Sequence, residues 1–422
     1  MANRSIYVYA DWKEVKGSRL MGILTAEIVR GKEVFSFEYD KEWLQSGFSQ
    51  DLDPDLQMFS GPQYLNDQSK SNFGLFLDSS PDRWGRVLMQ RREAAQARLE
   101  ERLPRKLFES DYLLGVYDSH RMGGIRFKTD VNGPFQNDDE KFASPPWTSI
   151  RQLEQISLKL EEENVVDDPD YFKWLSMVVT PGSSLGGARP KASVIDANGH
   201  LWIAKFPSKN DDDDVGGWEM VTYRLACAAG VKMAESQARK YSSQHHTFLT
   251  KRFDRDLSGN RIHFTSAMTQ LGYTDGIDAA MGVSYLEMVE FLLNHGSQVN
   301  QDLAELWRRI VFNICVSNVD DHLRNHGFLL TPKGWKLSPA YDINPVETGM
   351  GLKLNITEED NSLNLDLAME VHEYFRLSKQ EAEKIIQEVK MAVRPWRKMA
   401  SDYGISKEKQ ELKAPAFSVV GE

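Results

Sequence analysis

From Tyr285 to about Ala400 the pattern is mainly helical, with Leu303, Leu306, Ile310 and Ile314 on one face of a helix, and one interruption matters most. Between residues 318 and 345 a polar loop leads into Gly327-Phe328-Leu329-Leu330, a turn at 331–334 and a second short strand at 335–337. A chain of this kind must build a helical layer around one loop and hairpin, which makes 318–345 the place to look for chemistry.

The preceding half follows a different pattern. Runs at 6–10, 21–25 and 34–39 read as strands of a small β-meander, separated by Gly17 and the Arg30-Gly31-Lys32 turn. Pro81-Asp82 opens a helical stretch with the usual N-terminal residues, and another follows at 107–114. The polar, proline-bearing residues between Lys128 and Trp147 read as a surface linker or domain boundary. After a helical 150–163, the runs 191–196 and 201–206 form a hairpin across Asn198-Gly199. The acidic run 211–214 reads as a solvated loop, and Trp218, Val221 and Leu225 mark an amphipathic helix ending at Gly230. A strand at 247–253, a turn at 256–260 and a short run at 261–264 complete this half.

With 422 residues, 41% hydrophobic and 27% charged, the chain has material for two or three domains with a sizeable core. Sixty-two acids against 51 bases give a net charge of −11, which disfavours a dedicated nucleic-acid coat. Two cysteines, Cys227 and Cys315, cannot make a disulfide framework, and no apolar run approaches the ~20 residues of a membrane span. A cytoplasmic protein without a signal peptide is the expectation.

Within the interruption, Asn318-Val319-Asp320-Asp321-His322-Leu323-Arg324-Asn325 sets Asp320 and Asn325 at the D-x-x-x-x-N spacing of a protein-kinase catalytic loop. Tyr341-Asp342, after the hairpin, puts a further carboxylate where kinases carry a metal-binding Asp. Phosphoryl transfer uses such groups because the protein mainly positions reactants and neutralises phosphate charge, and Mg²⁺ prefers oxygen ligands. Taken singly, Asp320 can cap a turn and Asp342 can end a strand. Upstream, Thr180-Pro181-Gly182-Ser183-Ser184-Leu185-Gly186-Gly187-Ala188-Arg189-Pro190-Lys191 could bring backbone N–H groups to phosphates, or be an ordinary loop. Lys205 sits in an apolar strand with Glu219 on the next helix as its candidate partner; a lysine reaching to water is the alternative. It is the fixed order of all these parts over about 165 residues that argues against coincidence.

Four of these motifs together resemble the HipA-type serine/threonine kinases, toxins of bacterial toxin–antitoxin modules: Ser184-Leu185-Gly186-Gly187-Ala188-Arg189-Pro190-Lys191, Lys251-Arg252-Phe253-Asp254-Arg255, Asn318-x-Asp320-x-His322-x-x-Asn325 and Pro339-Ala340-Tyr341-Asp342. Ser80-Pro81-Asp82-Arg83-Trp84-Gly85-Arg86 and Leu114-Gly115-Val116-Tyr117-Asp118 with Arg121-Met122-Gly123 add to the likeness. The resemblance implies an α+β, two-lobed protein-kinase-like fold: a β-rich N-terminal subdomain at 1–130, a nucleotide-binding region at 148–255, a helical catalytic lobe at 256–400 and a tail at 401–422. It implies Asp320 as catalytic base, His322 orienting the loop, and Asn325 and Asp342 as Mg²⁺ ligands. Lys205, supported by Glu219, would bind ATP phosphates with Ser184, Leu185, Gly186, Gly187, Ala188 and Lys191. Lys251 and Phe253 would lie beside adenine. Ser184, or its neighbour Ser183, would be an autophosphorylation site that lowers activity by adding charge beside the ATP phosphates.

The implied partners are a helix-turn-helix antitoxin, through which most DNA contact would come, and a protein substrate of the aminoacyl-tRNA synthetase class. Two departures stand out. Asp321 is a rival carboxylate beside Asp320, and Asp342 precedes Ile343-Asn344-Pro345 rather than Phe-Gly. A catalytically weak co-repressor scaffold and a small-molecule kinase are the competing readings.

Overall fold

The computed structural model describes residues 3–48, 50–67, 69–138, 146–162, 164–178 and 189–421. They fall into two compact units, each assembled from separated stretches of chain: Met1–Lys209 with Lys251–Thr265, and Asn210–Thr250 with Ser266–Glu422.

In the first unit, β1 (Arg4–Ala10), β2 (Arg19–Val29) and β3 (Lys32–Tyr39) form the expected meander. A short helix α1 (Lys41–Leu44) follows, then β4 (Gln63–Tyr64), helices α2 (Gly74–Leu77), α3 (Arg83–Leu99) and α4 (Glu109–Gly115), and β5 (Ile125–Lys128). The five strands make one sheet ordered β4-β3-β2-β1-β5. Alternation dictates its faces: Ile6, Val8 and Ala10 are buried, and Ile6 pairs with Leu24, which pairs with Phe37. Gly22 is obligatory, since a Cβ there would lie 2.3 Å from the Glu38 carbonyl oxygen. The tight β2–β3 turn holds Arg30 and Gly31 at φ 51° and 78°. Phe76 joins sheet to helix, its ring 5.5 Å from Phe37 and 6.1 Å from Phe127.

Helices α5 (Ile150–Lys159) and α6 (Tyr171–Val178) and the hairpin β6 (Lys191–Ile195) and β7 (Leu201–Lys205) belong to this same unit. The boundary expected between 130 and 148 is therefore not a division between units. Arg91 of α3 donates to the Leu160 carbonyl at 2.8 Å, and Lys191 pairs with Asp82, ties that cross the expected linker.

The second unit begins with α7 (Val215–Ala228), which Asp214 caps by accepting from Gly217 N–H. Asp213 accepts from Trp218 Nε1 at 2.8 Å and Asp214 pairs with His246 Nδ1 at 2.6 Å, so two members of the acidic run are structural rather than merely solvated. Strands β8 (Ser236–Arg239) and β9 (Thr247–Lys251) pair antiparallel from Ser236↔Thr250 to Arg239↔Thr247. After β10 (Phe264–Ser266) come helices α8 (Ala267–Gln270), α9 (Tyr285–His295) and α10 (Val299–Val316), and the hairpin β11 (Gly327–Thr331) and β12 (Gly334–Leu337). Leu303, Leu306, Ile310 and Ile314 are fully buried on α10, as their spacing requires.

Helices α11 (Leu365–Glu370), α12 (Lys379–Val393), α13 (Trp396–Asp402) and α14 (Lys407–Lys413) complete the unit with a 3₁₀ segment at Ala414–Val420. The C-terminal segment packs against the helices of this unit. Phe417 is 2% exposed and stacks on Trp396 with ring centroids 4.3 Å apart. Among the described residues no helix is long and apolar enough to cross a membrane.

Candidate active site

Helix α10 ends at Val316, and Ser317 turns the chain through the left-handed region at φ 48°. Asn318 then anchors back on the helix, its N–H donating to the Asn313 carbonyl at 2.9 Å and its Nδ2 to Asn313 Oδ1 at 3.1 Å. From there the adjacent aspartates part company. Asp320 is exposed, whereas Asp321 is 3% exposed. Asp321 Oδ2 accepts from Tyr285 Oη at 2.6 Å and Asn313 Nδ2 at 2.7 Å, and pairs with His326 Nε2 at 2.9 Å. Burial opposes ionisation of Asp321, but the His326 charge and hydrogen bonds from His326 and Tyr285 outweigh it and hold the carboxyl below its ordinary range. Burial, followed by the charge of Asp321, drives the Tyr285 hydroxyl well above its own ordinary value. Of the two rivals, only Asp320 offers a carboxylate to an outside reactant.

The loop closes on the Asp320 carbonyl. His322 N–H donates to it at 2.9 Å and Asn325 Nδ2 at 3.1 Å, while Asn325 N–H donates to the His322 carbonyl at 2.8 Å. His322 thus shapes the turn through its backbone, and its buried Nδ1 has no hydrogen-bond partner among the described residues. Asp342 is half-buried at φ 57° and accepts from Asn344 Nδ2 at 3.3 Å. Asn344 N–H donates to Asn318 Oδ1 at 3.2 Å, and Tyr341 Oη donates to the Arg324 carbonyl at 2.8 Å. Hydrogen bonds therefore stitch the 318–325 loop to the 341–344 segment.

Oxygen donors of the kind a hard cation takes lie on both segments. Asp342 brings a carboxylate, and among the described residues the Asn325 amide oxygen accepts no hydrogen bond and the buried Asn344 Oδ1 has no partner. Asn344 was not singled out from sequence. Among the described residues no group of three or more His, Cys, Asp or Glu converges, so a metal here would rely on amide oxygens.

In the first unit, Lys191 and Lys205 are cross-strand partners on one face of the β6–β7 hairpin. Like charges so placed repel. Lys191 Nζ meets Asp82 Oδ2 at 2.8 Å, so the ammonium expected beside a phosphate is paired here with a buried carboxylate. Lys205 is 9% exposed at the strand end, and Glu219 is 4% exposed within α7 of the second unit. Lys251 Nζ lies 6.0 Å from the Trp202 ring centroid, and Phe253 packs against Phe264 with centroids 6.0 Å apart. Ser183, Ser184, Leu185, Gly186, Gly187 and Ala188 lie outside the described residues.

Two further motifs turn out to clasp each other. Asp254 accepts from Arg252 Nε at 2.7 Å, Arg255 Nη1 at 2.6 Å and Gly123 N–H at 2.9 Å. Arg252 also donates to the His120 carbonyl, Arg255 to those of Ser119 and Arg121, and Arg261 to that of Asp118. The Arg252-Phe253-Asp254-Arg255 motif thus serves mainly as architecture, tying the returning segment to residues 118–123. Burial followed by the charges of Arg252 and Arg255 acts in opposite directions on Asp254, and the arginines win, keeping it ionised far below the ordinary carboxylate range. Sequence spacing could not pair motifs 130 residues apart.

A kinase-like loop on a mixed helix-and-sheet scaffold defines the class, and comparison with known proteins narrows it. Residues 183–396, just over half of the chain, match the HipA-like C-terminal domain, and the chain belongs to that family. A provisionally assigned kinase of Haemophilus influenzae is 28% identical over 207 residues, 43% of this chain and 60% of that protein. The serine/threonine-protein kinase toxin HipA of Shewanella oneidensis is 26% identical over 149 residues, 31% of this chain and 34% of that protein. The chain thus spans less than two thirds of the length of these curated relatives. Among solved structures, HipA of Shewanella oneidensis, determined in complex with HipB and operator DNA, superposes with a TM-score of 0.65 at 16% identity, covering 98% of this chain and 95% of that one. The fold is accordingly that of HipA, a protein-kinase-like fold, as the sequence motifs implied.

Proposed function

We propose that this HipA-type protein is an ATP-dependent serine/threonine protein kinase. The observation that carries the reading is Asp320: an exposed carboxylate on a loop closed by Asn325 and hydrogen-bonded through Asn318 and Asn344 to the segment bearing Asp342. Asp320 accepts the proton of a substrate hydroxyl as it attacks the γ-phosphate. Asn325 and Asp342 hold Mg²⁺, with the Asn344 amide oxygen within the same stitched segment. When bound, that ion neutralises charge on the ATP phosphates. Lys205 binds the phosphates with support from Glu219, and Lys251 and Phe253 flank adenine.

Ser184, or Ser183, takes phosphate from the enzyme's own ATP, and the added charge lowers activity. The partner is a helix-turn-helix antitoxin that supplies most DNA contact, an idea favoured by the HipB complex of the similar fold and by a net charge of −11. The protein substrate belongs to the translation machinery, with the aminoacyl-tRNA synthetases as first candidates.

Incubating the purified chain with labelled ATP, Mg²⁺ and a cell extract tests the core of this. Label on a protein band and on the peptide holding Ser183 and Ser184, both lost in Asp320→Asn, is the expected result. Label found only on a small hydroxylated molecule would replace the reading with small-molecule kinase.

A further inference from the structure

Asp321 has no part in the chemistry assigned above, yet it is the best-anchored residue of the loop. Its Oδ2 gathers three donors from three segments: Tyr285 at the start of α9, Asn313 inside α10 and His326 just before β11. His326 is fixed from the other side as well, because its carbonyl accepts Ala267 N–H at 2.9 Å. The buried Nδ1 of His326 has no hydrogen-bond partner among the described residues, so Nε2 carries the ring's contact to Asp321.

Asn313 uses both ends of its amide, giving Nδ2 to Asp321 and taking Asn318 Nδ2 on Oδ1. Asn318 in turn accepts Asn344 N–H, and Asn344 donates to Asp342. One unbroken hydrogen-bonded chain therefore runs from Asp321 through Asn313, Asn318 and Asn344 to Asp342.

We propose that Asp321 is a positioning residue: its buried carboxylate fixes the direction in which Asp320 presents its own and holds that loop in register with Asp342. This role rests on the kinase reading. A buried carboxylate with three donors is costly unless every contact is made, and here all three neighbours are donors. Adjacent residues on an extended or turning backbone point apart, so pinning Asp321 inward turns Asp320 outward. A displacement of about 1 Å at a reacting group can cost roughly 100-fold in rate, which is why such an anchor matters.

The test compares Asp321→Ala with Asp321→Asn in the full chain. An amide oxygen can occupy the place of Oδ2 and accept the same donors, whereas alanine leaves them bare. The expected result is a fall in kcat of roughly 10- to 100-fold for Asp321→Ala, a much smaller change in Kd for Mg-ATP, and recovery of most of the rate in Asp321→Asn. Wild-type kcat in Asp321→Ala, or loss of nucleotide affinity by the same factor as kcat, would overturn the proposal. Should the alanine variant not fold, Tyr285→Phe removes a single donor, and an unchanged kcat there overturns it equally. Absence of phosphoryl transfer by the wild type would defeat the kinase reading itself. In that event hydrogen exchange decides the anchoring: faster exchange of the His322 and Asn325 amides in Tyr285→Phe supports it, and unchanged exchange sinks it.

Discussion

Lys191 Nζ lies 2.8 Å from Asp82 Oδ2, and the two side chains are 2% and 1% exposed. Asp82 also accepts Gly85 N–H at 2.8 Å, so one carboxylate caps α3 and neutralises the hairpin lysine. Removing one partner of a buried pair strands the other charge. Lys191→Met should therefore destabilise the protein by about 3–5 kcal/mol, measured by urea denaturation. Intact stability with weakened ATP binding would return Lys191 to a phosphate site.

Asp320 is exposed and bears no structural load through its carboxylate, so Asp320→Asn should leave the urea midpoint unchanged. Loss of a general base costs roughly 10²- to 10⁴-fold in rate. A phosphoryl-transfer assay on the folded variant that retained wild-type turnover would remove Asp320 from its role.

Acid should weaken the fold in two stages. His263 is buried on Trp12, ring centroids 5.0 Å apart, and accepts Gly124 N–H on Nδ1. Burial pushes it down to about 3 from an ordinary 6.5. Between those values the unfolded chain binds a proton that the folded chain refuses, so stability falls as pH drops below 6.5, with a slope of at most about 1.4 kcal/mol per pH unit. Below about 4 the unfolded state also protonates the residue corresponding to Asp254, which stays ionised when folded, and the loss steepens. Urea midpoints at pH 7.5 and 5.0 should differ in the wild type and differ less in His263→Gln; equal dependence in both would refute the assignment.

Phe417 fills a stack with Trp396 and lies 6.3 Å from Trp218. Its replacement by alanine leaves an aromatic-sized hole against α7 and α13, at a cost of about 3–5 kcal/mol. A Phe417→Ala protein with an unaltered urea midpoint would show that the C-terminal segment is dispensable to the second unit.

Much of the architecture can be read from residue order. Period-two alternation marks the meander, Asn198-Gly199 marks the hairpin, and the α10 stripe marks the buried face, because each reflects local geometry repeated along the chain. The Asp-x4-Asn spacing is equally local: Asn325 reaches the Asp320 carbonyl within one tight loop. Distance along the chain hides the rest. Asp82, the partner of Lys191, lies 109 residues away, and Trp396 and Trp218, the aromatic neighbours of Phe417, lie outside the C-terminal segment.

By itself, then, the sequence determined the class of fold, the order of the kinase-like parts and the short loop that holds Asp320 and Asn325. Only the tertiary structure distinguishes the surroundings of Asp320 from those of Asp321. Adjacent carboxylates have the same intrinsic acidity and the same spacing to everything downstream. What separates them is that Tyr285, Asn313 and His326, drawn from three different elements, converge on one and leave the other to solvent.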